Sequence, residues 1–320
     1  MIIDLNRARG VLWGQAVGDA LGTTVEFRDE PGIATRAETR WPRDLVGGGP
    51  FDVLPGQVTD DTELALSLAR TLARVGRYDD DAIAEAYLAW FASEPFDFGR
   101  TTSRAFRAPA KSAEEVRKRA DPKTEANGSL MRSSPLGVFG ASMPREALAT
   151  LAMRDSALSH PSPVCRAACA VFVTTIADAL TSGSNGAELY ERALTFARTH
   201  APLVADTLED AAEGIPVSDD EHNQGWVRIA LQHAFFQLKH ASDFEQALVQ
   251  TVVKGGDTDT NGCITGALLG AVLGVDSIPA RWRSTVAECR PARPERYWCN
   301  DLDALVNSLA RGEKVSHRER

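Results

Sequence analysis

Cysteine is scarce, and the five present form no C-x-x-C pair and leave one over. That argues against a disulfide framework and for free thiols in a reducing cytoplasm. Positive charge is also short: 35 Lys and Arg against 44 Asp and Glu give a net charge of −9. Non-specific nucleic-acid binding depends on clustered Lys and Arg, so no nucleic-acid partner is expected. A local basic run, Arg281 to Arg296, reads as a solvated face. The longest apolar run, Cys263 to Val275, is too short to span a bilayer, and MIIDLNRARG at the start has neither an apolar signal core nor a cleavage site. The expectation is a soluble cytoplasmic protein without a membrane segment. Period-two alternation, a P-loop, a G-x-G-x-x-G turn in a βαβ unit and an H-E-x-x-H pattern are all missing. Sheet-based nucleotide sites and zinc chemistry go with them.

What is present centres on KGGDTDTNG, Lys254 to Gly262. Asp257 and Asp259 lie two apart with Thr260 next, just before an apolar helix-like run, and hard oxygen donors held this close suit a cation. A helix cap would account for one aspartate and leave the other. An EF-hand loop would need Glu at its twelfth position, which here is Leu268. A second acidic turn, Thr59-Asp60-Asp61-Thr62-Glu63, precedes Leu64, Leu68, Leu72 and Val75 at helical spacing. A capping box with Asp60 as cap and Glu63 three residues on would again use only one of the adjacent aspartates.

Glycines recur four apart at Gly14, Gly18 and Gly22, and again at Gly262, Gly266, Gly270 and Gly274. Each glycine costs a helix about 1 kcal/mol relative to alanine, so such stripes call for close backbone approach. Two buried helices packed closely, against each other, would explain both, and a large side chain at Gly18 or Gly270 should then unfold the protein. Residues 27–57 form a long Gly- and Pro-rich loop, the kind that serves a site. Asp79 to Ser93 reads as an amphipathic helix, with Ile83, Tyr87, Trp90 and Phe91 inward. Phe96-Asp97-Phe98-Gly99 then holds a lone carboxylate between aromatics, where burial would raise its pKa. Asn127 to Arg132 reads as the opening of a helix able to bind a phosphate. Further helices are expected over Pro144–Leu158, from Ser162-Pro163 onward, and over Ala187–Thr199, Leu203–Ala212, Trp226–Leu238, Phe244–Val253 and Glu295–Leu309. Asp219 to Asn223 reads as a solvated acidic loop. The whole is an all-α, single-domain chain.

If the two acidic turns meet, they offer four carboxylates and two hydroxyls, a donor set for Mg²⁺ or Mn²⁺ able to hold two ions about 4 Å apart. The chain also resembles the ADP-ribosylglycohydrolase family. The resemblance rests on GDALGTTVEF (Gly18 to Phe27), GGGPFDVLPGQVTDDTELAL (Gly47 to Leu66), NGSLMRSSPLGVF (Asn127 to Phe139), SHPSPVCRAACA (Ser159 to Ala170) and KGGDTDTNGCITGALLGA (Lys254 to Ala271), in family order. The branch it most resembles is that of the bacterial dinitrogenase-reductase-activating glycohydrolase. The resemblance covers roughly residues 9–275 of a single 1–320 domain, with 276–320 left as a helical extension and frayed tail.

The resemblance implies a compact orthogonal helical bundle with a two-metal centre at one end, at the mouth of an ADP-ribose cleft. It implies Thr59, Asp60, Asp61, Asp257, Asp259 and Thr260 as ligands of two divalent ions, Mg²⁺ or Mn²⁺, and Glu26 and Asp97 as catalytic acids. Asn127, Gly128, Ser129, Met131 and His160 match residues that line the nucleotide and phosphate pocket. The chain departs from the family in carrying Glu125-Ala126, rather than glycine, before the Asn-Gly pair. The implied activity is hydrolysis of ADP-ribose from modified protein, arginine-linked first, with ADP-ribose as product and Asp97 or Glu26 as the acid. Hydrolysis of serine- or ester-linked ADP-ribose, or a non-catalytic ADP-ribose-binding or transferase-blocking protein of the same fold, are the alternatives. A nucleotide phosphohydrolase is a more distant one, and it lacks its His-Asp dipeptide.

Overall fold

Every regular element among the described residues is helical. In chain order they are α1 (Leu5–Gly22), α2 (Glu30–Ala34), α3 (Asp60–Val75), α4 (Asp80–Phe91), α5 (Arg100–Phe106), α6 (Ala113–Arg117), α7 (Ser134–Phe139) and α8 (Arg145–Ser156). They continue as α9 (Pro163–Ser182), α10 (Gly186–His200), α11 (Ala205–Glu213), α12 (Val227–His240), α13 (Phe244–Val252), α14 (Thr258–Leu273), α15 (Ala280–Glu288) and α16 (Leu302–Arg311). The structure, a computed structural model, describes residues 2–34, 42–214 and 223–311. Pairing of extended backbone among these is limited to isolated bridges such as Asp29 with Gly255 and Ala126 with Trp226. The starts of the helices follow local chemistry: Ser162 caps α9 ahead of Pro163, and Asn185 forms a capping box with Glu188 on α10.

α1 and α14 pack on each other along their glycines. Gly10 faces Gly270, Gly14 faces Gly266 and Gly18 faces Gly262, so the helices run antiparallel in steps of four residues. A methyl group added at any of these would overlap a carbonyl oxygen of the partner helix. The stripe therefore includes Gly10 and ends at Gly22, which meets Thr258. Gly274 stands outside it, at φ +79° against the Asn6 side chain. This close pairing brings the end of α1, with Glu26 shortly beyond, beside the start of α14, with Asp257 and Asp259.

The other helices wrap that pair. α9 is long and apolar enough by composition to cross a membrane, but 83% of its apolar window is buried within the protein. α3 lies against α4 and α16, and α12 against α14. All five cysteines are free.

Several expectations change. The C-terminal segment forms α15, a short turn at Glu295–Tyr297, and a helix that begins only at Leu302. Asp301 stands just before it, its side chain paired with Arg70 at 2.7 and 2.6 Å and its carbonyl receiving the Leu305 N–H. The basic run is not simply solvated: the Arg293 side chain is 7% exposed and pairs with Glu63 at 2.8 Å, while Arg281 binds Asp44 and Glu245. Asn127 does not open a helix. Its carbonyl receives the N–H groups of Leu130 and Met131 in successive turns, and α7 starts only at Ser134. The acidic loop 219–223, apart from Asn223, and the tail beyond Arg311 lie outside the described residues.

Candidate active site

The α3 turn is built so that capping spares its carboxylates. Thr59 is the N-cap, its hydroxyl receiving the Asp61 N–H at 3.4 Å. Glu63 takes no part in a capping box; it is buried behind the helix, held by Arg293 and by the Trp90 indole N–H at 2.8 Å. Asp60 and Asp61 are left to face the cleft. The residue that fixes this turn is Asp19, on α1. Its fully buried carboxylate receives the Thr59 and Thr62 N–H groups at 3.0 and 3.1 Å and the Thr59 hydroxyl at 3.1 Å. Burial lifts its pKa to about 6, against those hydrogen bonds. Asp19 was missed in the sequence. A lone acid on an otherwise apolar glycine-striped helix was the available signal.

The α14 turn is shaped by Gly255 and Gly256 at φ +83° and +77°, a conformation that favours glycine. Gly256 exchanges hydrogen bonds with the Glu26 loop: Phe27 N–H donates to its carbonyl and its own N–H donates to Arg28, each at 2.9 Å. Glu26 is thus pinned beside Asp257 and Asp259. The two acidic turns meet where the Thr260 hydroxyl donates to Asp61 Oδ2 at 3.3 Å, across a separation of 199 residues. Asn127 Nδ2 donates to Asp257 Oδ2 at 2.8 Å. One oxygen each from Glu26, Asp97 and Asp259 lie within 4.8 Å of one another.

These side chains line a cavity of about 380 Å³. Its wall includes Glu26, Asp60, Asp61, Asp97, Asp257, Asp259 and Thr260, with Asn127, Gly128, Met131 and His160 farther along. Two residues implied by the resemblance are not in the wall. Ser129 lies behind it, 0% exposed, its hydroxyl 2.9 Å from that of Ser156. Thr59 is also fully buried, its hydroxyl between the Asp19 and Asp61 carboxylates. Phe27, Phe98, Arg100, Thr102 and Gln224 join the lining without having been singled out in the sequence.

The electrostatics are those of crowded acids. Burial, then the charges of Asp257, Asp97 and Asp60, push Glu26 up to about 10. Burial holds Asp60, Asp61 and Asp259 well above the usual carboxylate range, helped by the charges of Asp97 and Asp19 on Asp60, of Asp60 and Asp19 on Asp61, and of Glu26 and Asp61 on Asp259. Asp97 rises to about 7, chiefly by burial and the Asp257 charge. Glu26 Oε2 and Asp61 Oδ1 are buried without a hydrogen-bond partner. Hard oxygens, some unpartnered, raised by mutual repulsion in a shared cleft, fit a divalent cation. Glu125-Ala126 is accommodated by the Ala126–Trp226 bridge, with the Trp226 indole on Glu125 at 2.9 Å.

An all-α fold with an acid-lined cleft between two helix-opening turns defines the class: a helical protein whose site suits metal-assisted chemistry. The chain belongs to the ADP-ribosylglycohydrolase family, whose model matches residues 2–318. That match runs past the last of the quoted motifs and through the C-terminal segment to residue 318. The chain is 31% identical over 301 residues to ADP-ribosyl-[dinitrogen reductase] glycohydrolase of Rhodospirillum rubrum, covering 94% of this chain and 96% of that protein. It is 31% identical over 289 residues to ADP-ribosylarginine hydrolase Tri1 of Serratia proteamaculans, covering 87% and 74% respectively. A solved structure described as an ADP-ribosylglycohydrolase-related protein complex superposes with a TM-score of 0.75 at 30% identity, covering 96% of this chain and 98% of that one.

Proposed function

We propose that the protein hydrolyses ADP-ribose from modified protein side chains, arginine first, in the cytoplasm. The observation that carries this reading is the meeting of the two acidic turns with Glu26 and Asp97 in one cleft. The relatives named for ADP-ribosylarginine and ADP-ribosyl-dinitrogen reductase supply the substrate class. Asp60, Asp61, Asp257, Asp259 and Thr260, with Thr59 behind them, would hold two Mg²⁺ or Mn²⁺ ions. Ions bound there would supply Lewis-acid polarisation of ribose hydroxyls and of a water.

The chain's own acids then divide the proton work. In hydrolysis the bond from the anomeric carbon to the guanidine nitrogen breaks, and a bond from that carbon to the water oxygen forms. Asp97, grouped in the cleft with Glu26 and Asp259, is the group suited to take the water proton when ionised. Glu26, buried in the same cluster as Asp97 and Asp259, is suited to give a proton to the departing guanidine nitrogen when protonated. Asn127, fixed on Asp257, and His160 and Gly128 in the far wall would orient the nucleotide half.

The test is release of free ADP-ribose from arginine-linked and serine-linked modified proteins, with Mg²⁺, Mn²⁺ or a chelator, for wild type and Asp257→Ala. Metal-dependent release from the arginine substrate, abolished in the variant, is expected. Release from the serine substrate alone would move the linkage. Tight ADP-ribose binding with no release from either would replace the hydrolase with a binding protein.

A further inference from the structure

Behind the cavity wall four side chains form a buried relay that ends at His160. Asp155 Oδ2 receives the Arg132 Nε–H at 3.1 Å, and both side chains are 0% exposed. Arg132 Nη1 donates to the Ser159 hydroxyl at 2.7 Å and to the Gly128 carbonyl at 3.3 Å. Ser159 Oγ lies 2.8 Å from His160 Nδ1. The His160 backbone is fixed as well, its N–H donating to Ser156 at 2.7 Å and its carbonyl receiving the Ser156 hydroxyl at 2.9 Å. At the other edge of the ring, Nε2 is buried without a partner while the ring lines the cavity.

The directions of these hydrogen bonds follow from the donor-only guanidinium at one end and from where the Ser159 proton can go. A guanidinium has donors only, so the Ser159 oxygen accepts from Arg132. The Ser159 proton is then free, and the acceptor within reach is His160 Nδ1. An imidazole that accepts at Nδ1 carries its proton at Nε2. Burial and the Arg132 charge also keep the ring neutral, its pKa held down to about 3. A neutral ring has one N–H, and the relay turns it toward the cavity. Gly128 completes the arrangement: a methyl group there would stand 2.9 Å from Thr102 Oγ1 and 3.1 Å from His160 Nε2. Only a bare α-carbon leaves that edge of the ring open.

We propose that Arg132 and Ser159 are positioning residues that lock His160 in the neutral Nε2–H tautomer, so that it donates one hydrogen bond to a phosphate oxygen of the nucleoside diphosphate ligand. This rests on the ADP-ribose reading for the ligand, but the tautomer is a property of the free protein. The acceptor must offer a lone pair to this N–H, and an anionic phosphate oxygen does so more strongly than a ribose hydroxyl because the bond is charge-assisted. A ligand that offers only donors at this point would be rejected.

The experiment is ¹⁵N–¹³C correlation NMR of the histidine rings in the full-length protein, paired with calorimetric titration of ADP-ribose, for wild type, Ser159→Ala and Ser159→Thr. In wild type the His160 ring should show protonated Nε2 and unprotonated Nδ1 from pH 6 to 8. Ser159→Ala should lose that single tautomer and weaken ADP-ribose by about three- to tenfold, the scale of one neutral hydrogen bond. Ser159→Thr, which keeps the hydroxyl, should restore both. A protonated Nδ1 in wild type, or a Ser159→Ala protein that keeps the Nε2–H tautomer and wild-type affinity, overturns the proposal. If Ser159→Ala does not fold, the wild-type tautomer and the threonine variant still decide. Wild-type protein that shows the Nε2–H tautomer but binds no ADP-ribose would sink the ligand assignment, and with it the phosphate acceptor, while the relay stood.

Discussion

Asp155 and Asp61 are both deeply buried carboxylates, 0% and 1% exposed, but they keep different company. Asp155 is paired with Arg132, receives the Tyr87 hydroxyl at 2.8 Å, and has the guanidinium stacked 4.5 Å over the Tyr87 ring. Asp61 has two threonine hydroxyls at 3.3 and 3.4 Å, one unpartnered oxygen and a set of acidic neighbours. The first region balances its charge internally and behaves as structure. The second carries an excess of negative charge that the fold itself holds in place, through the Asp19 hydrogen bonds and the α1–α14 glycine pairing. A site that keeps repulsion at the cost of stability is arranged for something that arrives from outside.

Removing one partner should therefore have opposite signs in the two regions. Arg132→Ala leaves Asp155 buried without its cation and is expected to cost about 3–5 kcal/mol, with the loss read by denaturant unfolding. A loss below about 1 kcal/mol would show that the pair is not what balances this region. Divalent cation acts only on the other region. Titrating chelator-treated protein with Mn²⁺ or Mg²⁺ should raise stability by about 2.7 kcal/mol at a hundredfold excess over Kd, seen as a rise in Tm. No rise with either ion would contradict a cation-binding role for the crowded acids.

Asp259→Asn sharpens the contrast further. It removes one repelling carboxylate while nearly keeping its shape, so the chelator-treated variant should be more stable than wild type by about 1–2 kcal/mol. The order should reverse when the ion is added, because the variant has lost a ligand. Melting curves that cross in this way would distinguish a functional acid from a structural one. A variant less stable than wild type under both conditions would place Asp259 with Asp155.

How much of this was legible in the sequence follows from the range of the interactions. The acidic turns, the glycine stripes and the Phe96-Asp97-Phe98 turn are local patterns, and each reads directly as a chemical requirement. Asp19 stands out only as a lone acid on a glycine-striped helix, and its role was not legible because it is set by Thr59 and Thr62, 40 and 43 residues away. Arg293 looked like part of a solvated basic run, since its partner Glu63 lies 230 residues earlier. The Arg70–Asp301 pair beside the start of α16 is hidden for the same reason, its partners lying 231 residues apart. Asn127 to Arg132 looked helical because small polar residues suit both a helix start and successive turns. Arg132, buried to bind Asp155 and Ser159, decides between them only in three dimensions.

Ser129 gives the finest division between the two regions. By resemblance it belongs to the pocket wall, beside Gly128. In the structure its hydroxyl faces inward, 2.9 Å from the Ser156 hydroxyl, which in turn donates to the His160 carbonyl. Ser129→Ala should then act as a small structural change, costing about 0.5–1.5 kcal/mol for one buried hydrogen bond and changing ADP-ribose affinity less than about twofold. Asn127→Ala, which removes a group that lines the cavity and fixes Asp257, should weaken binding with little loss of stability. Calorimetric titration and thermal melting of both variants separate the cases. If Ser129→Ala weakens ADP-ribose as much as Asn127→Ala does, the hydroxyl reaches the ligand, and the boundary between the balanced region and the cleft runs one layer deeper than the geometry puts it.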